Sequence, residues 1–177
     1  MNNYLLSIDG STVATGASIF DINTKELINY TVFKKDNKEE PNMRKRVIYM
    51  VDCLSEYIKL YKPEKIVMEQ VIPAINNAST VLALGILQGG VLGLSHGLDI
   101  PIDFIEVPYW HSELGILKSK GDLKEQSINW VNEKYGLDLV YKSPTSKYNQ
   151  DNEADSICIG SVYLGNYIKV KKRKIGR

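Results

Sequence analysis

The chain has 177 residues, of which 44% are hydrophobic and 24% are charged. These values predict one soluble globular domain with its own core. The longest apolar stretch, Val81 to Ser95, contains Gln88 and is too short for a bilayer span, and the N-terminus lacks a signal-peptide pattern. Cys53 and Cys158 fall in helix-like patterns, which indicates buried thiols and excludes a disulfide framework or zinc site. We therefore expect a cytoplasmic protein without a membrane partner.

Charge is distributed unevenly along the chain. The net charge is +1, but the last nine residues, Lys169 to Arg177, carry six basic residues and no acid, so the remainder is near −5. An acidic body with a basic end predicts that an anionic partner is bound at particular places. We interpret 1–168 as one domain and 169–177 as a basic tail that contacts nucleic acid through Lys171, Lys172, Arg173 and Lys174. The alternative is a solvated tail that aids solubility.

Three short strands are predicted at the start of the chain. Apolar residues indicate strands over Tyr4 to Ser11, Ala14 to Ile22 and Leu27 to Phe33, with a turn at 23–25. Because links this short join antiparallel neighbours, we expect these three strands to be adjacent in one sheet.

Helices separate the later strands. The helix that follows Pro41 buries residues at helical spacing, which are Val47, Val51, Leu54, Ile58 and Tyr61. The remaining elements are a strand over 65–69, a helix over 78–96, a strand over 102–107, and helices over 122–135 and 151–168. This order predicts an α/β fold, with a mixed five-stranded sheet flanked by helices.

Acidic residues interrupt apolar segments at points far apart in sequence. Asp9 lies within the first strand, Glu69 ends the fourth strand, and Asp155 lies on an apolar helix with Asp151 one turn earlier. A buried carboxylate needs a partner, a metal or an exposed edge. The structural alternatives are a turn-capping Asp9, a solvent-facing Glu69, and an Asp151 favoured by the helix dipole.

If the strands that carry Asp9 and Glu69 are neighbours, divalent cations would be needed to neutralise the clustered acids. Oxygen-only ligands suit Mg²⁺ or Mn²⁺ better than zinc. Two such ions would activate a water and stabilise the leaving oxygen in phosphodiester hydrolysis. The pattern therefore predicts a metal-dependent nuclease with two ions per site.

Three segments carry a resemblance to a known family, and they are SIDGS (7–11), VMEQV (67–71) and EADSICI (153–159). Over residues 4–165 the chain resembles the RuvC family of Holliday-junction resolvases. A phage-borne member of that family is one candidate. The resemblance implies a ribonuclease-H-like fold, a homodimer, and magnesium-dependent cleavage of four-way junctions and other branched DNA. It further implies that Asp9, Glu69 and Asp155 are catalytic metal ligands and that Lys124 acts near the scissile phosphate. Lys118 and Lys120 are expected to contact DNA together with Lys124.

The chain departs from the family pattern at two places. Ile72 stands where the family often has an aromatic residue, so a base-stacking wedge would have to come from Tyr109 and Trp110. Asn152 stands three residues before Asp155, where the family has a fourth acid.

The fourth metal ligand is therefore open. Asn152 offers one carbonyl oxygen, Glu153 points roughly opposite to Asp155, and Asp151 is the nearest acid on the same helix face. Either Asp151 has taken over the role, or Asn152 weakens the second metal site, which we prefer. An inactivated chain would also carry an Asn here.

Other functions compete with junction cleavage. A ribonuclease-H-like nuclease for structured RNA would use the same acids, and a catalytically dead junction-binding protein would explain Asn152. An actin-like ATPase domain would need a second lobe, for which 177 residues leave no room.

His96 and His111 are not part of a metal-ligand motif in the sequence, and we expect both to be structural or at the surface. Glycines at every fourth position, Gly85, Gly89, Gly93 and Gly97, form a smooth ridge that packs either on a second copy or on the chain's own sheet.

Overall fold

The structure is a computed structural model that describes residues 3–71 and 78–167. Ile72 and the basic tail from Lys169 to Arg177, including the four predicted DNA contacts at 171–174, lie outside the described residues. The division into a domain over 1–168 and a tail stays a prediction.

The described strands form one five-stranded sheet in the order β3-β2-β1-β4-β5. Strand β1 pairs antiparallel with β2 and parallel with β4, while β2 pairs antiparallel with β3 and β4 pairs parallel with β5. The bounds are β1 Tyr4–Asp9, β2 Ala14–Asp21, β3 Leu27–Lys34, β4 Lys65–Glu69 and β5 Ile102–Ile105. The predicted mixed sheet and its antiparallel first half are confirmed.

Five α-helices and one 3-10 turn flank this sheet within the described residues. Their bounds are α1 Met43–Tyr61, α2 Ala78–Gly97, α3 Val107–Leu114, the 3-10 turn Lys118–Lys120, α4 Leu123–Tyr135 and α5 Asp151–Tyr163.

Three of these helices differ from the sequence prediction. Helix α1 begins after the N-cap Asn42, whose side chain accepts from two backbone N–H groups, so Pro41 lies outside the helix. Helix α3 was predicted as the end of a strand and a loop, although Pro108 lies in its first turn, where proline is favoured. Helix α5 ends at Tyr163 and not at residue 168, because Gly165 adopts a left-handed φ of 63°.

The sheet separates two apolar cores. Alternate residues of β1 point to opposite faces, so that Leu5 packs with α3, α4 and α5 while Leu6 packs with α1 and α2. On the first face lie the large side chains Phe20 and Trp110, and on the second lie Met50 and Leu87. The fold is thus three layers, helices on both faces of one sheet.

Helix α5 lies unusually close to β1 and β2. The hydroxyls of Ser7 and Ser18 both donate to the Ser156 carbonyl, at 2.8 Å and 3.0 Å. A Cβ on Gly16 would lie 1.9 Å from the backbone oxygen of Asn152, so only glycine permits this approach. These contacts fix the N-terminal half of α5 over the middle of the sheet.

Helix α2 has an apolar face that none of the described residues covers. Leu87, Val91 and Ser95 are buried, whereas Leu82 and Leu92 are 61% and 47% exposed. A Cβ added at any of the four ridge glycines would meet no atom of residues 3–71 or 78–167 within 4 Å, so the ridge does not pack on the chain's own sheet. By length and composition alone, this 20-residue helix could cross a membrane. The prediction that the apolar stretch is too short for a span is therefore wrong on length.

Candidate active site

Two strand ends bring the first two acids together. Asp9 is the last residue of β1 and Glu69 the last residue of β4, and the parallel register pairs Ile8 with Met68 one step earlier. Because the carboxyl ends of parallel neighbours meet at one edge of a sheet, Asp9 and Glu69 lie side by side. The sequence analysis made this proximity conditional on the two strands being neighbours, and the pairing of β1 with β4 meets that condition.

Helix α5 adds two further acids to this edge. The charges of Glu69, Asp155 and Asp151 each raise the pKa of Asp9, although burial is the largest cause, while Lys124 lowers it. Asp151 and Asp155 are one helical turn apart and therefore share a face. Four carboxylates from β1, β4 and α5 thus form one electrostatically coupled group, which we call the acidic cluster.

Burial, more than mutual repulsion, governs the charges of Glu69 and Asp155. Burial raises the pKa of Glu69 to about 7, against the opposing effect of a hydrogen bond from Trp110. It raises the pKa of Asp155 to about 7 as well, opposed by a Ser127 hydrogen bond and reinforced by Glu69 and Asp151. The indole N–H of Trp110 donates to Glu69 Oε2 at 3.3 Å. These two carboxyls are poorly solvated and only partly compensated by hydrogen bonds.

The cluster has the donor chemistry of a hard divalent cation site. Asp155 Oδ1 is buried without a hydrogen-bond partner, which leaves an oxygen available for a ligand. Carboxylates alone suit Mg²⁺ or Mn²⁺. Among the described residues, no three acidic, histidine or cysteine side chains already converge on one point as metal ligands. Metal binding would therefore require these side chains to rotate toward a common point.

Lys124 reaches the cluster from α4. Its Nζ lies 2.7 Å from Asp151 Oδ2, and the Asp151 side chain is 14% exposed. The Asp122 side chain caps α4 by accepting from the backbone of Lys124 and Glu125, which fixes the first turn of the helix beside the acids. The hydrogen bond to Asp151 raises the pKa of Lys124. The predicted lysine therefore lies at the cluster and is paired there.

The three residues at the start of α5 have different surroundings. Asp151 pairs with Lys124, whereas the side chain of Glu153 is buried and lies 3.5 Å from the Gln150 amide. Asn152 is half-buried and borders a cleft of about 460 Å³ beside the cluster. This cleft, called the side cleft below, has a polar lining that includes Lys34, Glu39, Lys124, Lys147, Asp151 and Asn152.

Sequence reasoning missed the residues that hold the cluster in place. Trp110 was predicted to offer an aromatic surface, but it is 1% exposed and binds Glu69, so that prediction is wrong. Tyr109, its neighbour, is 52% exposed. Ser127 carries no motif that would mark it as a partner of Asp155. The helical spacing of Val107, Trp110 and Leu114 was the signal that could have placed Trp110 in the core.

The remaining predicted site residues lie outside the cluster. Lys118 and Lys120 are exposed on the 3-10 turn before α4, where Lys120 Nζ donates to the Gly115 carbonyl. His96 is exposed on α2, and burial lowers the pKa of the half-buried His111. Cys158 is buried, Cys53 is half-buried, and both are free thiols.

Comparison with known proteins gives a consistent class. No family model matches the chain. The crossover junction endodeoxyribonuclease RuvC of Neisseria gonorrhoeae is 26% identical over 135 residues, which cover 75% of this chain and 73% of that protein.

Three solved structures share the fold. Thermus thermophilus RuvC in complex with Holliday junction substrate has a TM-score of 0.67 and 15% identity, covering 94% of this chain and 99% of that one. A separate Thermus thermophilus RuvC structure has a TM-score of 0.64 and 17% identity, covering 94% of this chain and 99% of that one. The yeast mitochondrial Holliday junction resolvase Ydc2 has a TM-score of 0.56 and 16% identity, covering 92% of this chain and 78% of that one.

The sheet order and flanking helices are those of a ribonuclease-H-like fold. The resemblance to the RuvC family of Holliday junction resolvases is confirmed by the Neisseria relative, and the three structures confirm the fold.

Proposed function

We propose that this chain is a magnesium-dependent endonuclease that cleaves phosphodiester bonds in Holliday junctions and other branched DNA. The observation that carries the proposal is the acidic cluster at the carboxyl ends of β1 and β4, with Lys124 beside it. The RuvC resemblance supports the substrate class, since one similar structure is a RuvC bound to Holliday junction substrate.

Each group of the site has a distinct part in this reaction. Asp9, Glu69 and Asp155 would hold two Mg²⁺ ions, which supply an activated water and stabilise the leaving oxygen, and Mn²⁺ would substitute. Trp110 orients Glu69 through its indole N–H. Lys124 presents a positive charge at the edge of the cluster, where it offsets the negative charge of a phosphate.

Cleavage of a synthetic four-way junction tests the proposal. We expect paired cuts near the crossover with Mg²⁺ or Mn²⁺ and none with EDTA, and little cutting of linear duplex. Cutting of structured RNA in place of the junction would favour the ribonuclease alternative. Tight junction binding without cutting at any metal concentration would favour a weakened junction-binding protein.

A magnesium titration tests the fourth ligand. Because Asp151 is already paired with Lys124, we propose that Asn152 holds the fourth position and weakens the second metal site. Asn152→Asp should raise the cleavage rate roughly 10-fold and lower the Mg²⁺ requirement, since a carboxylate binds Mg²⁺ better than an amide oxygen does. If Asn152→Asp changes nothing and Asp151→Asn abolishes cutting, Asp151 is the ligand.

The uncovered face of α2 supports a homodimer. Two symmetric cuts need two sites, which a two-fold dimer provides, and the glycine ridge with Leu82 and Leu92 offers it an apolar surface. We expect Leu92→Glu to give a monomer in sedimentation at micromolar concentration, while the wild-type chain is a dimer. Leu60→Glu, at a 71% exposed position on α1, is the matched control and should stay dimeric. A wild-type monomer, with and without junction DNA, would contradict the dimer.

A further inference from the structure

The loop between α4 and α5 carries an exposed aromatic ring that the proposed reaction does not use. Tyr148 is 62% exposed. The ammonium of Lys142 lies 4.8 Å from the ring centroid and that of Lys147 lies 5.3 Å from it. An exposed aromatic ring beside two lysines is the combination that binds single-stranded nucleic acid, since every base can stack on the ring and lysines neutralise phosphates.

This loop is held in place by hydrogen bonds of Asn149 and Gln150. Asn149 is 3% exposed, and its side chain accepts from the Lys142 amide at 2.9 Å and donates to the Ser143 carbonyl at 2.7 Å. Gln150 binds both the N–H and the carbonyl of Val140, each at 3.0 Å. The ring is therefore presented by an ordered loop, so that little conformational entropy is lost when a ligand binds.

The ring is close in sequence to groups at the acidic cluster. Its neighbours Lys147 and Asn149 line the side cleft, and Asp151, three residues later, lies at both the cleft and the cluster. Lys34 also lines the cleft. A strand that leaves the cluster through this cleft would pass Lys147, the neighbour of Tyr148 in the chain.

We propose that Tyr148, Lys142 and Lys147 form a binding site for one unstacked nucleotide of the DNA strand that passes through the side cleft. The base stacks on the Tyr148 ring, and the two lysines move to the flanking phosphates. The site rests on the proposed junction function, because a crossover supplies unstacked bases and a continuous duplex does not. The site would supply an aromatic contact to DNA from the loop between α4 and α5, whereas the family's aromatic position holds Ile72 in this chain.

Binding measurements in an Asp9→Asn background, which prevents cutting, test the site. Tyr148→Ala should weaken junction affinity roughly 10-fold, and Tyr148→Phe should retain it, because stacking needs the ring and not the hydroxyl. Affinity for linear duplex should stay the same in both variants. Tyr163→Ala is the matched control, since Tyr163 is 36% exposed but ends α5, whereas Asp151 at the cleft begins that helix. Replacing Lys142 and Lys147 by Ala should reduce the salt slope of junction binding by about 2.

The outcomes separate this site from the proposed function. If the chain binds junction and Tyr148→Ala binds it equally well, the nucleotide site is refuted while the junction function stands. If the chain does not bind junction, the function fails, and a deoxythymidine oligonucleotide then tests the site alone. Loss of oligonucleotide binding in Tyr148→Ala would support the site, and unchanged or absent binding would refute it.

Discussion

Neutral replacement of Asp9, Glu69 or Asp155 should abolish junction cleavage. For Asp9→Asn, Glu69→Gln and Asp155→Asn we expect rates at least about 10³-fold below wild type, because each removes a charged metal ligand from the reacting centre. Junction affinity should be equal or higher, since each change removes negative charge from the surface that meets the phosphates. Single-turnover cleavage in Mg²⁺, with binding measured separately, checks both expectations.

Asp103→Asn is the matched control for this loss. Asp103 is an acid on the neighbouring strand β5, but it is half exposed and bound to Lys65 and Tyr163. Its replacement should leave the cleavage rate within a few-fold of wild type. Full activity in two of the three cluster variants would show that the cluster is not the reacting centre.

The same replacements should stabilise the protein when metal is absent. Burial raises the pKa of Asp155 to about 7 in the folded chain, while an unfolded aspartate titrates near 3.9. The folded protein therefore loses stability as pH rises from about 4 to about 7, and the full penalty remains above pH 7. At pH 8 without metal, Asp155→Asn should raise the free energy of unfolding by about 1–3 kcal/mol.

Thermal unfolding in EDTA at pH 4 and pH 8 measures this effect. The difference between Asp155→Asn and wild type should be small at pH 4, where the folded carboxyl is neutral and the unfolded one is only about half ionised, and several degrees at pH 8. Mg²⁺ at pH 8 should raise the melting temperature of wild type more than that of the variant. A variant less stable than wild type at pH 8 in EDTA would show that the Asp155 carboxylate is compensated by other groups.

The sequence alone was enough to predict the sheet and three of the acids. Short links after Ser11 and Ile22 leave antiparallel pairing as the geometry available to the first three strands, and Asp9, Glu69 and Asp155 are marked because each interrupts an apolar element. These are local properties, since the strand period and the cost of burying a charge depend on near neighbours. Helix ends were less certain, as at α5, where a left-handed Gly165 ends the helix early.

Long-range packing decided the rest. Trp110 became a partner of Glu69, and not a surface residue, because α3 turns its indole into the core beneath β4. Asp151 meets Lys124 because α4 and α5 pack together across 27 residues of sequence. The glycine ridge of α2 was equally consistent with two environments until the structure showed one face uncovered. In each case the side chain's neighbours come from distant segments, and local periodicity contains no information about which distant segment arrives.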